Sequence, residues 1–437
     1  MTTQEFSLQR YLGRVERADP LPLMGSVVRT VGLVVESRGP RAGVGEICEL
    51  RSRDGHRLMV EVVGFRDDHL LTVPLGGTTG IHPGDTIVTG GGTGSVPVGD
   101  GLLGRVIDGL GRPLDERGPV TASTDYPLRP SGMNPLTRAS IEVPLATGVR
   151  SIDSLLTCGR GQRLGVFGGS GVGKSTLLGM MARGTAADVA VIGLVGERGR
   201  EVRAFLENDL GPQGLAKSVV VAETSDSPPL LRLRAAYAAT AIAEYFRAQG
   251  RNVLLMLDSV TRLAMAQREI GLAAGEPPTS KGYPPSVFAM LPALLERAGN
   301  LREGGSITAF YTVLVEGDDT NEPISDAVRA ILDGHIVLSR ELAQKNHYPA
   351  IDILQSVSRT MPDVADEAQV LKAGQVREWL ATAQESEDLV SVGAYVAGSN
   401  PKVDDALNHR DAIETFLRQK PNELTTLRQA VEALNGL

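Results

Sequence analysis

Two cysteines, Cys48 and Cys158, stand far apart in a chain of 437 residues. They are too few and too distant for a disulfide framework or a cysteine-based metal site, and such usage suits a reducing cytoplasm. No stretch reaches the roughly 18 uncharged residues that a membrane-spanning helix needs, so any membrane role is expected to be peripheral. Basic charge is not in excess either. Lys and Arg number 44 against 52 Asp and Glu, a net charge of -8, which argues against nonspecific capture of nucleic-acid phosphates. Aromatic residues make up only 4% of the chain, and between Leu21 and Gly90 the one aromatic is Phe65, with no lysine. That segment therefore offers neither the stacking platforms nor the basic surface of a single-strand-binding barrel.

Glycine is abundant, at 51 residues, which points to many tight turns and close backbone approaches. The length calls for two or three domains. Phe6, Leu8, Tyr11, Leu12 and Val15 recur at helical spacing, so residues 1–20 read as a short amphipathic segment. From residue 21 to 91, short apolar runs (Val31–Val35, Ile47–Leu50, Leu58–Val63, Leu70–Val73, Thr86–Val88) alternate with turn residues, as in a small β-barrel. The cluster Gly90, Gly91, Gly92 and Gly94 reads as a linker, because no lysine follows to make it a phosphate loop. Over 92–362 apolar strands alternate with helical stretches such as Leu230–Arg247, the pattern of a parallel sheet covered by helices. Beyond Pro362, in 363–437, only helices are expected: Glu367–Leu380, Ser386–Val392, Val403–Gln419 and Pro421–Leu434. The fold class is α/β, with a β-barrel before it and a helical domain after it.

The strongest chemical signal is Gly168-Gly169-Ser170-Gly171-Val172-Gly173-Lys174-Ser175. It follows the apolar run Leu164–Phe167 and precedes the helical Thr176–Arg183, as a phosphate-binding loop must. Glycines let backbone N–H groups turn toward a β-phosphate, and the helix N-terminus adds its dipole. Lys174 reaches the β- and γ-phosphates, and the Ser175 hydroxyl suits Mg²⁺. Hydrolysis also needs carboxylates at the same edge of the sheet. Asp258 ends the strand Val253–Leu257, where a magnesium-shell aspartate belongs, although it could equally cap the next helix. Glu197 ends the run Val189–Val195 and is a second carboxylate at a strand's carboxyl end.

Taken with Gly196-Glu197-Arg198, Leu257-Asp258-Ser259-Val260-Thr261-Arg262, Tyr348-Pro349-Ala350-Ile351-Asp352 and Ser356-Val357-Ser358-Arg359, the chain resembles the rotary ATPase alpha/beta subunits and type III protein export ATPases along almost its whole length. The resemblance implies a RecA-like nucleotide domain between the barrel and the helical domain, and a homohexamer that hydrolyses ATP with Mg²⁺. It implies that Glu197 polarises the attacking water with Arg198 beside it, and that Asp258 acts on magnesium with Arg262 close behind. Arg359 matches an arginine finger that reaches a neighbouring subunit's γ-phosphate, and Tyr348 matches an aromatic that packs on adenine. Residues 168–176, Thr176 included, would hold the nucleotide.

Rotary synthase subunits carry an acidic loop where this chain reads Gly393–Pro401, so the resemblance favours the export ATPases. Among these it favours the flagellar branch, with the virulence injectisome branch as the alternative. A nucleotide-binding scaffold subunit without activity would be expected to lack Glu197. Implied partners are a stator-like dimeric regulator at the N-terminal segment, a central coiled-coil stalk protein, membrane proteins of an export gate, and export substrates with their chaperones. The implied place is the cytoplasm, peripherally attached to the inner-membrane export apparatus.

Overall fold

The computed structural model describes residues 23–130, 132, 134–315 and 322–437. The amphipathic segment expected over 1–20 lies outside the described residues. The chain divides between Gly94 and Ser95 into two compact units.

The first unit is a closed six-stranded barrel of β1 (Met24–Val31), β2 (Val34–Arg38), β3 (Glu46–Arg51), β4 (Arg57–Arg66), β5 (His69–Pro74) and β6 (Thr86–Thr93), in the order β1-β2-β5-β4-β3-β6. Alternating residues such as Val35, Cys48, Leu50, Val60, Val62 and Ile87 fill its interior. Two expectations fail here. The apolar run Val31–Val35 is not one strand: it straddles the β1–β2 hairpin, whose turn is Gly32 and Leu33, with Gly32 at φ +58. The glycine cluster is no linker: β6 runs on to Thr93 and pairs with β3 across a register shift. A Cβ on Gly90 would lie 2.5 Å from the Ile47 carbonyl oxygen, so glycine is what lets the strands approach. Burial pushes the Cys48 thiol up to about 11, and Cys158 is also buried, so neither is a reactive thiol.

The second unit opens with β7 (Ser95–Val98), β8 (Arg105–Ile107) and β9 (Thr124–Pro127); β7 pairs with β9. A nine-stranded sheet follows. Its further strands are β10 (Arg163–Gly168), β11 (Val189–Glu197), β12 (Ser218–Thr224), β13 (Asn252–Asp258), β14 (Gly299–Asn300), β15 (Ser306–Leu314), β16 (Gly334–Leu338) and β17 (Ile351–Ser358). The order is β17-β16-β10-β15-β13-β11-β12-β8, with β14 paired to β15. From β16 to β8 the ladder is parallel, whereas β17 runs antiparallel along the edge. Strands such as β11 and β13 are buried on both faces, which explains their unbroken apolar runs.

The helical part consists of Glu367–Ser391, Pro401–Leu417 and Leu427–Asn435. The two helices expected over 367–392 are one, since nothing between Leu380 and Ser386 breaks a helix. The last helix starts later than expected, at a Thr426 cap answered by Gln429. Trp379 joins the long pair by donating to Asp405 (2.7 Å) and stacking on His409. These helices share one core with the sheet, a cluster that includes Val166, Leu177, Phe310, Trp379, Phe416 and Leu434.

The Lys174–Gly184 helix packs through Gly179 on a π-helical turn, Phe205–Leu210, whose Asp209 carboxylate accepts a hydrogen bond from Thr176. A Cβ on Gly179 would lie 2.6 Å from the Asp209 carbonyl oxygen. Alanine normally gains up to about 1 kcal/mol over glycine inside a helix, but here Gly179→Ala is expected to destabilise by about 1–3 kcal/mol through overpacking. Denaturant unfolding checks this, and stability equal to or above the parent's would contradict it.

Candidate active site

A parallel sheet gathers all its carboxyl ends along one edge, and β10, β13 and β11 deliver their last residues there. The chain leaves β10 at Gly168, turns through Gly171 and Gly173 at φ +81 and +87, and enters the helix at Lys174. Such backbone angles suit glycine alone at low cost. Gly169, Ser170, Gly171, Gly173, Lys174, Ser175 and Thr176 line a cavity of ≈ 350 Å³ together with Glu197, Arg198, Glu201, Asp258 and Arg262. Two members of the expected set face elsewhere. Val172 is buried in the core, and Gly168 ends β10 against Leu338, where a Cβ would come within 2.9 Å.

Only β15 separates β10 from β13, a gap of about 10 Å at ordinary strand spacing. The Lys174 side chain spans it and brings Nζ to 3.7 Å from Asp258 Oδ1. Asp258 does not cap the next helix. Ser259 does, accepting from the Arg262 N–H, which leaves the Asp258 carboxylate free to face the cavity. Its Oδ1 also accepts from the Thr312 hydroxyl on β15 at 2.5 Å. Thr312 had no signal in the sequence, because only the pairing of β13 with β15 brings it beside Asp258.

Glu197 sits one strand further along, gripped by Arg262, with Nε 3.1 Å from Oε1 and Nη2 3.3 Å from Oε2. Gly196 makes room for that arginine: at φ +72, a Cβ would crowd Arg262 Cβ at 3.2 Å. Arg198 begins the Gly199–Ala204 helix with its side chain largely exposed and 3.5 Å from Glu201. Glu201, missed in the sequence, shares a hydrogen bond with Glu197 and accepts from the Arg198 backbone N–H at 3.4 Å. Burial, then the Asp258 charge, pushes the Glu197 carboxyl up to about 7 against the pull of Arg262 and Lys174. A carboxyl poised there can take a proton from water near neutrality.

The antiparallel β17 separates the two remaining residues. Its start pairs with the end of β16, Ile351 opposite Leu338, so Tyr348 lies behind the phosphate loop. A Cβ on Gly173 would be 3.3 Å from its ring. Its far end pairs with the start of β16, Ser358 opposite Gly334. There the Arg359 N–H bonds to the Asp333 carbonyl, and Asp333 N–H in turn to that of Arg163. Arg359 is exposed and stands at the opposite end of the sheet from the phosphate loop, the length of β10 away, about 17 Å at the rise of a parallel strand.

The oxygen donors available, the Ser175 hydroxyl and the cavity-facing Asp258 carboxylate, suit a hard cation such as Mg²⁺, which takes few protein ligands and completes its shell with phosphates and water.

Comparison with known proteins agrees with this fold. The beta-barrel domain of the ATP synthase alpha/beta family matches residues 27–91, and that family's nucleotide-binding domain matches 148–358. The flagellum-specific ATP synthase of Bacillus subtilis (strain 168) is 51% identical over 98% of both chains. The chain belongs to the ATP synthase alpha/beta family. Within the family it is an ATPase of the type III secretion and flagellar export group. The C-terminal domain of the type III secretion ATPase EscN matches 365–436, and the type 3 secretion system ATPase of Xanthomonas euvesicatoria is 53% identical over 94% of this chain and 93% of its own. The assembled ATPase EscN of enteropathogenic E. coli superposes with a TM-score of 0.89 at 46% identity, covering 94% of this chain and 99% of EscN. EscN in complex with its central stalk EscO gives 0.86 at 45%, again over 94% and 99%.

The raised Glu197 value has a consequence for stability. A carboxyl whose folded value lies above its ordinary one contributes stability that is present in full below the ordinary value and is lost as pH rises through about 7. Glu197→Gln, neutral and of the same shape, should therefore raise the Tm of the nucleotide-free protein at about pH 8, with the gain fading toward about pH 5. Thermal unfolding across that range checks it; a gain that grows toward acid pH would reverse the sign.

Proposed function

We propose that the protein is a homohexameric ATPase that energises type III export of flagellar proteins, using hydrolysis to release chaperones and to unfold and load substrates at a membrane-embedded gate. The observation that carries this reading is the separation within one chain. Lys174, Glu197 and Asp258 meet in one cavity, while Arg359 stands at the other end of the sheet, so a chain completes its site only through a neighbour.

In this reading the backbone of residues 169–171 and 173–176, with the Lys174 side chain, grips the β- and γ-phosphates, and Tyr348 packs on the adenine. Glu197, held by Arg262, orients water and takes up its proton, with Arg198 at the rim of the same cavity. Ser175 and Asp258 would hold magnesium, which supplies charge neutralisation to the phosphates. Arg359 of the adjoining subunit meets the charge that develops on the transferred phosphoryl group.

At the tip of the hairpin formed by Glu367–Ser391 and Pro401–Leu417, Leu389, Val392 and Val396 are exposed. Together with EscN's solved complex with its stalk, this supports a coiled-coil stalk partner there. A stator-like dimeric regulator at residues 1–20 and gate proteins in the membrane complete the proposed assembly, at the cytoplasmic face of the inner membrane. Among the described residues, no helix is long and apolar enough to cross a membrane. The relatives carry both flagellar and injectisome names. The flagellar choice rests on the tail from Phe416 onward.

Two experiments test this reading. Arg359→Ala and Lys174→Ala should each lose about 10³-fold or more in turnover, and mixing them should restore activity through interfaces that pair an intact loop with an intact arginine. No recovery at any ratio, with mixed rings shown to form, would overturn the trans assignment. Affinity capture from the native host should recover chaperones of flagellar rod, hook and filament proteins; needle and effector chaperones in their place would assign the injectisome role.

A further inference from the structure

The strand that joins Tyr348 to Arg359 is broken in its middle. Pairing of β17 with β16 passes from His335 opposite Val357 to Val337 opposite Asp352, so Ile353–Ser356 bulge out against a single residue of β16. Bulges of this kind bend a strand and re-aim the residues beyond the bend. The ladder cannot hold such a segment, and side chains take over. The Ser356 hydroxyl accepts from the Val337 N–H at 2.9 Å.

The largest replacement comes from outside the sheet. Arg377, on the Glu367–Ser391 helix, donates through Nη1 to the Ile353 carbonyl (2.7 Å) and through Nη2 to the Ser356 carbonyl (3.1 Å). One guanidinium thus bridges both ends of the bulge. Nη2 also reaches the Leu155 carbonyl at 3.3 Å, which ties the bulge to the short Arg150–Leu155 helix.

About two turns earlier on the same helix, the buried Gln369 continues the attachment. Its Nε2 donates to Thr157 Oγ1 at 2.8 Å and to the Ser154 carbonyl at 3.0 Å. The Thr157 carbonyl accepts from the Ser358 hydroxyl at 2.8 Å, and Ser358 is the residue before Arg359. Gln369, Ala373 and Val376 are all buried, so this face of the helix is packed down and the polar links are held in register.

We propose that Arg377 and Gln369 are positioning residues for Arg359: from the helical part of the chain they fix the bulged strand and its last residue, and so set where the exposed guanidinium points toward the neighbouring subunit. This rests on the reading that Arg359 acts in trans. A planar fork is needed to span two carbonyls on one strand, and a lysine ammonium on a flexible stem cannot do it.

Arg377→Lys keeps charge and stem, and tests the inference. Expected is a fall in kcat of about tenfold or more, with the affinity of the free protein for ATP changed less than about threefold. Mixing Arg377→Lys with Lys174→Ala should then restore turnover, because the latter lends a well-placed Arg359 to the former's intact phosphate loop. Gln369→Ala serves as the second variant should Arg377→Lys fail to fold, with the same expectations. A parental kcat in both variants overturns the inference. So does a deficit that Lys174→Ala does not rescue while the Arg359→Ala and Lys174→Ala pair recovers, since the fault then lies in the variant's own site. If the Arg359→Ala pair itself does not recover, the trans reading fails and this inference falls with it.

Discussion

The parallel sheet imposes the constraint on which everything else depends, because it has only one carboxyl edge. The phosphate loop, Asp258 and Glu197 all stand on that edge, at the ends of β10, β13 and β11. The one strand that runs the other way in the main ladder's path, β17, carries its following residue, Arg359, to the opposite end. If Arg359 acts on a neighbour's nucleotide, as proposed above, a site spread over both ends of one sheet cannot close within one chain, and oligomerisation is then a requirement of the chemistry.

Within the cavity the charges are balanced tightly. The Asp258 charge opposes ionisation of Glu197, while Arg262 and Lys174 favour it; Arg262 lies beside Glu197 and Lys174 beside Asp258. Burial tips that balance toward a protonated Glu197 near neutrality. A polyphosphate brought into the cavity adds negative charge beside Lys174, and a cation that accompanies it adds positive charge. The protonation of Glu197 is thereby tied to what the cavity holds.

Residues that act through their own backbone or within one short segment were legible in the sequence. Gly171 and Gly173 need positive φ, Lys174 starts a helix, and Asp258 ends an apolar strand, all of them local properties. The spacing between Tyr348 and Arg359 was visible too, although its cause, an edge strand spanning the sheet from one end to the other, was not. Thr312, Glu201, Arg377 and Gln369 gave no signal, because each acquires its role from a partner elsewhere in the chain or across a helix turn. The glycine cluster at Gly90 misled for the same reason: a tolerance for close strand approach and a tolerance for disorder are written with the same residue. Glycine at Gly32 hid a hairpin inside what read as one apolar run.

The bulge in β17 has a second effect, unrelated to phosphates. An open sheet ends in strands whose outer N–H and C=O groups can recruit a strand from another molecule, and long flat edges are where such pairing starts. β17 is the terminal strand of the sheet. Its irregular centre, with the carbonyls of Ile353 and Ser356 already taken by Arg377, gives an intruding strand no continuous register to copy. In the ring of identical chains proposed above, a border that resists sheet-to-sheet fusion would keep ordered assembly from sliding into aggregation.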